Sequence, residues 1–343
     1  MKLHKGNFSS KISTPKQKSM SFYNEQKEKN IGLRDRLIGD HGQGLFFNIP
    51  RDFVLMKPEL NLMESVRYKA EKYFIDNHIP FWNTGEKRPK GVNKPSGHML
   101  SSQVACINHL LFFRHNQEIA TAILRGIDCN VKTALRLDND RTDYGFVSLE
   151  VIGKENYLKE RSHTRGAHST SVDAVMLAEM QDSSRKLFFI EWKYVEKYRN
   201  KQSKFIEEGG GTRKNIYLPL LQREDCPIKV PELNDTFIEG IFYEPFYQLM
   251  RQTLLAHEMT KAKDFGATDY CHLHLIPTNN NELKLENTSR GILKGSTLKE
   301  AWLNLLKSPD KYKVIDPKDF LEPVRQIPEA TIAIKYLEQR YWG

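Results

Sequence analysis

Two carboxylates and one ammonium group interrupt the most strand-like segments of this sequence. Asp173 lies inside the apolar run TSVDAVML, and Glu191 and Lys193 lie inside the apolar run LFFIEWKYV. Burying an unpaired charge costs free energy, so groups at such positions need partners or a metal ion. These residue types therefore predict a polar site built on strands.

The alternation of side chains along a strand tells which residues share the site. Residues two apart point to the same face, so Glu191 and Lys193 follow Leu187 and Phe189 on one face. The other face is apolar throughout and is expected to pack against a helix; it holds Phe188, Ile190, Trp192 and Tyr194. A strand that begins apolar and ends with charged residues typically places those charged side chains in a cleft at the edge of the sheet. Asp173 can reach the same cleft from the neighbouring strand, across the short turn QDSSR.

Two carboxylates and a lysine that converge suit one kind of chemistry. Carboxylate oxygens bind Mg²⁺, which keeps several waters and takes up substrate phosphate, and Mn²⁺ is expected to substitute for it. Such a metal polarises a scissile phosphate and lowers the pKa of a bound water. Lys193 would add positive charge where the transition state accumulates negative charge, or orient the attacking water.

The elements around these residues follow the order helix, three strands, helix, strand. The first helix starts at a serine in SSQVACINHLLFFRHNQEIATAILRG, with a break expected near residues 113–116. The strands are YGFVSLEVI (144–152), TSVDAVML (170–177) and KLFFIEWKYV (186–195), followed by the helix EPFYQLMRQTLLAHEMTKAKD and the strand YCHLHLIPT. Further helices are predicted on both sides of this set.

This arrangement resembles the PD-(D/E)XK nuclease superfamily over roughly residues 100–277, and its signature is Asp173 followed by IEWK. The stretches SSQVACIN and YEPFYQLMRQ are similar to those of poorly characterised bacterial members. The resemblance implies an α/β restriction-endonuclease-like core, with a mixed central sheet flanked by helices. It also implies that Asp173, Glu191 and the backbone carbonyl of Trp192 bind the metal and that Lys193 is the catalytic lysine. Val172 stands where many members have proline.

The resemblance further implies supporting residues around this set. A polar residue is usual in the helix after the third strand, where Gln248 and Gln252 lie one helical turn apart. An acidic residue upstream is also usual, and the candidates are Glu118, Glu150 and Glu160. We take Glu160 and Gln248 as the supporting residues.

Three other motifs have less specific interpretations. His272 and His274 share a strand face, and without a third ligand nearby they indicate a polar face rather than a metal site. The loop RSHTRGAHS either contacts a DNA backbone or is an ordinary basic surface; its basic side chains are Arg161, His163, Arg165 and His168. The glycines of EEGGGTRKN are not followed by the lysine of a P-loop.

Composition limits the remaining classes of protein. The chain has 343 residues, 39% of them hydrophobic, which supports a sizeable core. Four cysteines without a CxxC pair argue against a disulfide framework or a cysteine zinc site and favour the cytoplasm. No apolar stretch is long enough to span a bilayer, and the N-terminus has no secretory signal. The net charge of +9 suits a nucleic-acid partner.

These patterns predict four regions and one activity. The regions are a basic, flexible arm (1–30), a helical extension (31–100), a nuclease core (101–280) and a second helical extension (281–343), packed as one domain. The expected activity is hydrolysis of DNA phosphodiester bonds by a metal-activated water, with DNA as the partner and a homodimer left open. The alternatives are a catalytically inactive nucleic-acid-binding protein on the same core and, with less support, a carboxylate-pair glycoside hydrolase.

Overall fold

The computed structural model describes residues 20–83, 85–86, 91–141, 143–165, 169–198, 204, 209–230, 234–285 and 293–343. Its α-helices are α1 Phe22–Leu33, α2 Glu64–Asp76, α3 Ser102–Leu110, α4 Gln117–Ile127, α5 Gly210–Leu221, α6 Asp235–Ile241, α7 Phe246–Lys261, α8 Asn281–Lys284, α9 Leu298–Leu305, α10 Pro317–Leu321 and α11 Thr331–Leu337. Its strands are β1 Gly44–Phe46, β2 Ile49–Arg51, β3 Val131–Leu135, β4 Ser148–Val151, β5 Val172–Met180, β6 Arg185–Trp192, β7 Asp269–Leu275 and β8 Tyr312–Ile315. Within these described ranges, no helix has the length and apolar character needed to cross a membrane.

A mixed sheet of six strands forms the centre of the molecule. Its order is β3-β5-β6-β7-β8, and β4 pairs with β5 on the part of that strand that β3 leaves free. Strand β5 is antiparallel to β3, β4 and β6, whereas β6, β7 and β8 run parallel. The predicted mixed sheet with flanking helices is therefore confirmed.

Two hydrophobic cores cover the two faces of this sheet. Phe188, Ile190 and Trp192 of β6 lie in the core formed with α3 and α4, whereas Leu187 and Phe189 lie in the core formed with α7. The alternation predicted from the sequence is thus confirmed, because each β6 side chain faces the layer that the period of two assigns to it. The charged end of the strand continues the α7 face.

The helix predicted before the sheet is interrupted where expected. Helix α3 begins after Ser101, whose side chain accepts a hydrogen bond from the backbone N–H of Val104. A short 3₁₀ turn over Leu111–Phe113 follows, and α4 begins after the capping residue Asn116. The Asn116 side chain accepts a hydrogen bond from the backbone N–H of Ile119, which satisfies a donor in the first turn of α4 and so favours the start of a new helix.

The two N-terminal regions differ from the prediction. Residues 22–30 of the predicted flexible arm belong to α1, because Ser21 caps this helix and Phe22 and Leu33 are buried; residues 1–19 lie outside the described residues. The predicted helical extension 31–100 also contains the β1–β2 hairpin.

Two strands of the sheet were not predicted. In the C-terminal extension, β8 pairs with β7 in parallel, and β3 pairs with β5 within the core. These strands have five and four residues, VKTAL and YKVI, and neither shows the strict alternation of apolar and polar residues by which a half-buried strand is recognised.

Candidate active site

Three carboxylates meet where β4, β5 and β6 lie side by side. Leu149 and Val151 of β4 pair with Ala174 and Val172 of β5, so Glu150 and Asp173 stand opposite each other. Ala174 also pairs with Ile190 of β6, which places Glu191 on the other side of Asp173. The buried thiol of Cys106 lies close enough to all three carboxylates for each to raise its pKa, although burial raises it more.

Lys193 is paired inside this group. Its ammonium donates to Oε1 of Glu191 at 2.6 Å and to Oε1 of Gln248 at 2.6 Å. The other oxygen of Glu191 accepts a hydrogen bond from the amide of Gln252. Glu191, Lys193 and Gln252 are almost completely buried. The structure therefore joins Glu191, near the end of β6, and Lys193, just after it, to the paired glutamines of α7.

Asp173 lies at the margin of this network. Its Oδ2 accepts a hydrogen bond from the backbone N–H of Trp192 at 2.7 Å, and part of its side chain is accessible to solvent. Burial, reinforced by the negative charges of Glu191 and Glu150, raises the pKa of Asp173 well above its usual range, against the opposing effect of Lys193. Asp173 is thus a carboxylate in an excess of negative charge.

Glu150 is the third carboxylate. It accepts hydrogen bonds from the amide of Gln103 at 2.8 Å and from the hydroxyl of Ser171 at 2.9 Å. Burial raises its pKa to about 7, although these two hydrogen bonds act in the opposite direction. Its backbone φ of 51° lies in the left-handed region, which non-glycine residues rarely adopt and which often marks functional sites.

The charged form of Lys193 is stabilised by the acidic groups around it. Burial opposes the charged form of the amine, but the neighbouring Glu191 and further acidic groups outweigh it and raise the pKa of Lys193 well above its ordinary value. Lys193 is therefore a permanent cation at neutral pH. It can offset negative charge and donate hydrogen bonds, but it cannot act as a general base there.

The other predicted acids lie elsewhere. Glu160, the supporting acid predicted from the sequence, accepts hydrogen bonds from the Thr170 N–H and from the hydroxyls of Thr170 and Tyr217. Glu118 is exposed in the first turn of α4. Glu150 is therefore the upstream acid that lies beside Asp173 and Glu191. Glu160 instead stabilises the segment just before β5 through its hydrogen bonds with Thr170. Gln103 and Ser171 were missed, since neither has a signature in the sequence.

His272 and His274 do not form the polar face that the sequence indicated. Both are buried, with His274 beside Glu191 in the parallel pairing of β6 and β7. Burial, together with the charge of Lys193, lowers the pKa of His272 to about 3 and that of His274 well below its ordinary value. Nδ1 of His274 lies 2.9 Å from the hydroxyl of Tyr312. The two rings are neutral neighbours of the lysine.

The structure describes only part of the basic loop RSHTRGAHS, which precedes β5. Arg165 forms an ion pair with the buried Asp140 at 3.2 Å, and Arg161 and His163 are exposed. His168 lies outside the described residues. The Arg165 side chain is thus held by a carboxylate, whereas Arg161 and His163 remain accessible to a ligand.

The carboxylate oxygens of this site are suitable ligands for a hard cation such as Mg²⁺. The cation would complete its coordination shell with oxygens of water and phosphate. Nowhere in the described part of the chain do three or more His, Cys, Asp and Glu side chains form a group that could by itself hold a metal. Mg²⁺ does not require such a group, because it commonly uses one or two carboxylates with water and phosphate. Burial, together with the negative charges of Glu191 and Glu150, raises the pKa of Asp173, and a divalent cation beside these carboxylates would favour its deprotonated form.

The protonation of Glu150 predicts how stability depends on pH. Without divalent cations, we expect the free energy of unfolding to fall as pH rises from the ordinary pKa of 4.5 to the folded pKa of about 7. The folded state binds the additional proton, so its stabilisation is complete below the first value and lost above the second. A shift of this size corresponds to roughly 3 kcal/mol. The raised pKa of Asp173 acts in the same direction.

Urea unfolding in EDTA across this pH range measures the effect. Glu150→Gln should flatten the pH dependence, whereas Glu118→Gln, at an exposed position, should retain it. Equal slopes for wild type and Glu150→Gln would contradict the prediction.

Comparison with known proteins identifies a family. The model of the family described as "Restriction Endonuclease associating with ARP" matches residues 32–342. No curated protein and no solved structure matches the chain. The match covers most of the chain, and the mixed sheet with flanking helices agrees with the expected restriction-endonuclease-like α/β fold, which is confirmed. The chain belongs to the family of restriction endonucleases described as associating with ARP.

Proposed function

We propose that this protein is a Mg²⁺-dependent endonuclease that hydrolyses phosphodiester bonds in DNA, with a PD-(D/E)XK site. The observation that carries the proposal is the meeting of Asp173, Glu191 and Lys193 at the ends of two paired strands, with Asp173 accessible to solvent. Membership in a family of restriction endonucleases supports DNA as the substrate.

In this proposal the carboxylates hold the metal. Asp173 and Glu191 would be its side-chain ligands and the Trp192 carbonyl a further ligand, while Glu150 would add negative charge beside Asp173. When bound, Mg²⁺ supplies Lewis-acid chemistry at the phosphoryl oxygens and at the attacking water. Deprotonated Asp173 is the form that binds a cation, so its raised pKa makes binding release a proton.

Lys193 would act on the phosphate directly. Its ammonium stabilises negative charge that accumulates on the phosphorus oxygens during attack. Gln248 and Glu191 fix the position of this ammonium through hydrogen bonds of 2.6 Å each. Gln252 fixes Glu191 in turn. Because these groups are already oriented, little reorganisation is needed when substrate binds.

Metal removal is the direct test of the activity. We expect Mg²⁺ or Mn²⁺ to support cleavage of DNA and EDTA to abolish it, because the carboxylates would no longer hold a cation near the phosphate. Cleavage is measured by gel electrophoresis on supercoiled, linear, branched and single-stranded DNA, with RNA as a comparison. Binding without cleavage of every form in both metals would instead identify the inactive nucleic-acid-binding protein.

A further inference from the structure

An exposed apolar surface projects from the β1–β2 hairpin and the segment that follows α2. We call it the aromatic ridge; its members are Leu45, Phe47, Ile49 and Trp82, exposed by 43%, 69%, 50% and 41%. Leu45, Phe47 and Ile49 lie on one hairpin, and the Phe47 N–H donates to the carbonyl of Gly85, three residues after Trp82. Large apolar side chains that are grouped on a surface, unlike single ones, mark places where another molecule binds. The ridge is separate from both hydrophobic cores of the sheet.

One side chain links the ridge to the carboxylate group. The backbone N–H of Trp82 donates to Oε1 of Gln103 at 2.9 Å, and the amide nitrogen of Gln103 donates to Oε1 of Glu150 at 2.8 Å. Trp82 is thus separated from a carboxylate of the candidate site by a single glutamine. A polymer that crosses the site at this edge would therefore pass close to residue 82.

The hairpin is held in a fixed position. The backbone N–H of Phe47 donates to the Gly85 carbonyl at 2.7 Å, and the Phe46 ring packs against Phe53 and His98 with centroid distances of 5.6 and 5.3 Å. Gly85 has φ of +77°, and a Cβ there would lie 2.8 Å from a Phe46 ring atom and 3.0 Å from Phe47 ring atoms. Phe46 therefore anchors the hairpin while Phe47 points outward, and only glycine allows this close approach.

The charges next to the ridge favour a polyanion. Arg51 is exposed at the end of β2. Lys94 is exposed as well. It follows Asn93, whose Oδ1 accepts the backbone N–H of Phe81, the neighbour of Trp82. Exposed aromatic rings combined with Lys and Arg are the composition of surfaces that stack on bases and neutralise phosphates.

We infer that the aromatic ridge is a DNA-contact surface, in which Phe47 and Trp82 stack on bases or wedge between them beside the scissile phosphate. This inference rests on the proposed function, because DNA is the ligand that the neighbouring site would act on. Apolar side chains that enter between base steps unstack them and bend the duplex. The molecule that we assign to the aromatic ridge is thus the same DNA that the neighbouring site would cleave.

The test compares two variants of the full chain with a matched control. Phe47→Ala and Trp82→Ala are each expected to weaken binding of fluorescein-labelled DNA in EDTA about tenfold, the effect of losing one base stack. The ring-preserving variants Phe47→Tyr and Trp82→Phe should retain most of the affinity. Ile332→Ala removes an apolar side chain exposed by 68% on α11 and should leave binding unchanged. Thermal unfolding verifies that each variant folds.

Fluorescence of 2-aminopurine placed near the cut site reports unstacking. A rise with wild type that is lost in Phe47→Ala or Trp82→Ala supports the inference. Unchanged affinity in both variants overturns it, as does a change of oligomeric state without a change in DNA affinity, which would make the ridge an interface between protein chains. Because binding is measured without metal, a chain that binds through the ridge and fails to cut with Mg²⁺ refutes only the proposed nuclease activity.

Discussion

Replacing Asp173 with asparagine is expected to reduce DNA cleavage about a thousandfold and to leave the protein at least as stable as the wild type. Asparagine keeps an oxygen that can accept the Trp192 N–H, now 2.7 Å from the carboxylate. It has no negative charge with which to hold a cation. It also removes the burial of a carboxylate and its repulsion with Glu191 and Glu150, which together raise the pKa of Asp173.

Single-turnover cleavage with Mg²⁺ and urea unfolding in EDTA measure the two expectations separately. Asp182→Asn is the matched control, since Asp182 lies in the exposed turn between β5 and β6 and should affect neither quantity. A wild-type cleavage rate in Asp173→Asn would remove Asp173 from the site. A loss of stability along with activity would show instead that Asp173 serves the fold.

Replacing Lys193 with methionine is expected to abolish cleavage and to destabilise the protein by about 3–5 kcal/mol. Methionine keeps the length of the side chain but leaves Glu191 buried without its cation, 2.6 Å away in the wild type. The double variant Lys193→Met/Glu191→Gln removes both charges and should recover much of the stability without any of the activity. Urea unfolding and single-turnover cleavage of the wild type, Lys193→Met, Glu191→Gln and the double variant form a double-mutant cycle.

The control for this cycle is an ion pair on the same sheet. Lys132 and Glu179 lie 2.6 Å apart, with side chains exposed by 53% and 28%. Lys132→Met should cost less than about 1 kcal/mol, because solvent screens an exposed pair. If Lys193→Met cost as little as Lys132→Met, the network around Lys193 would not be the buried pair described above.

The sequence determined the part of the site that depends on local geometry. The period of two along β6 places Glu191 and Lys193 on one face and Trp192 on the other, whatever the rest of the fold does. The helical period likewise aligned Gln248 and Gln252, and in the structure they contact Lys193 and Glu191. These relations join residues within one element, so the sequence alone contains them.

The tertiary structure decided which distant residues join that site. Glu160 is nearer to Asp173 in the sequence, but Glu150 is the acid that stands opposite it, because β4 runs antiparallel to β5 and pairs with its first residues. Gln103 enters from α3, and the two histidines are buried because they lie on the face of β7 that packs against α7, next to Tyr312 of β8. Strand register and helix packing are set by the burial of whole surfaces, so no single residue in the sequence predicts them.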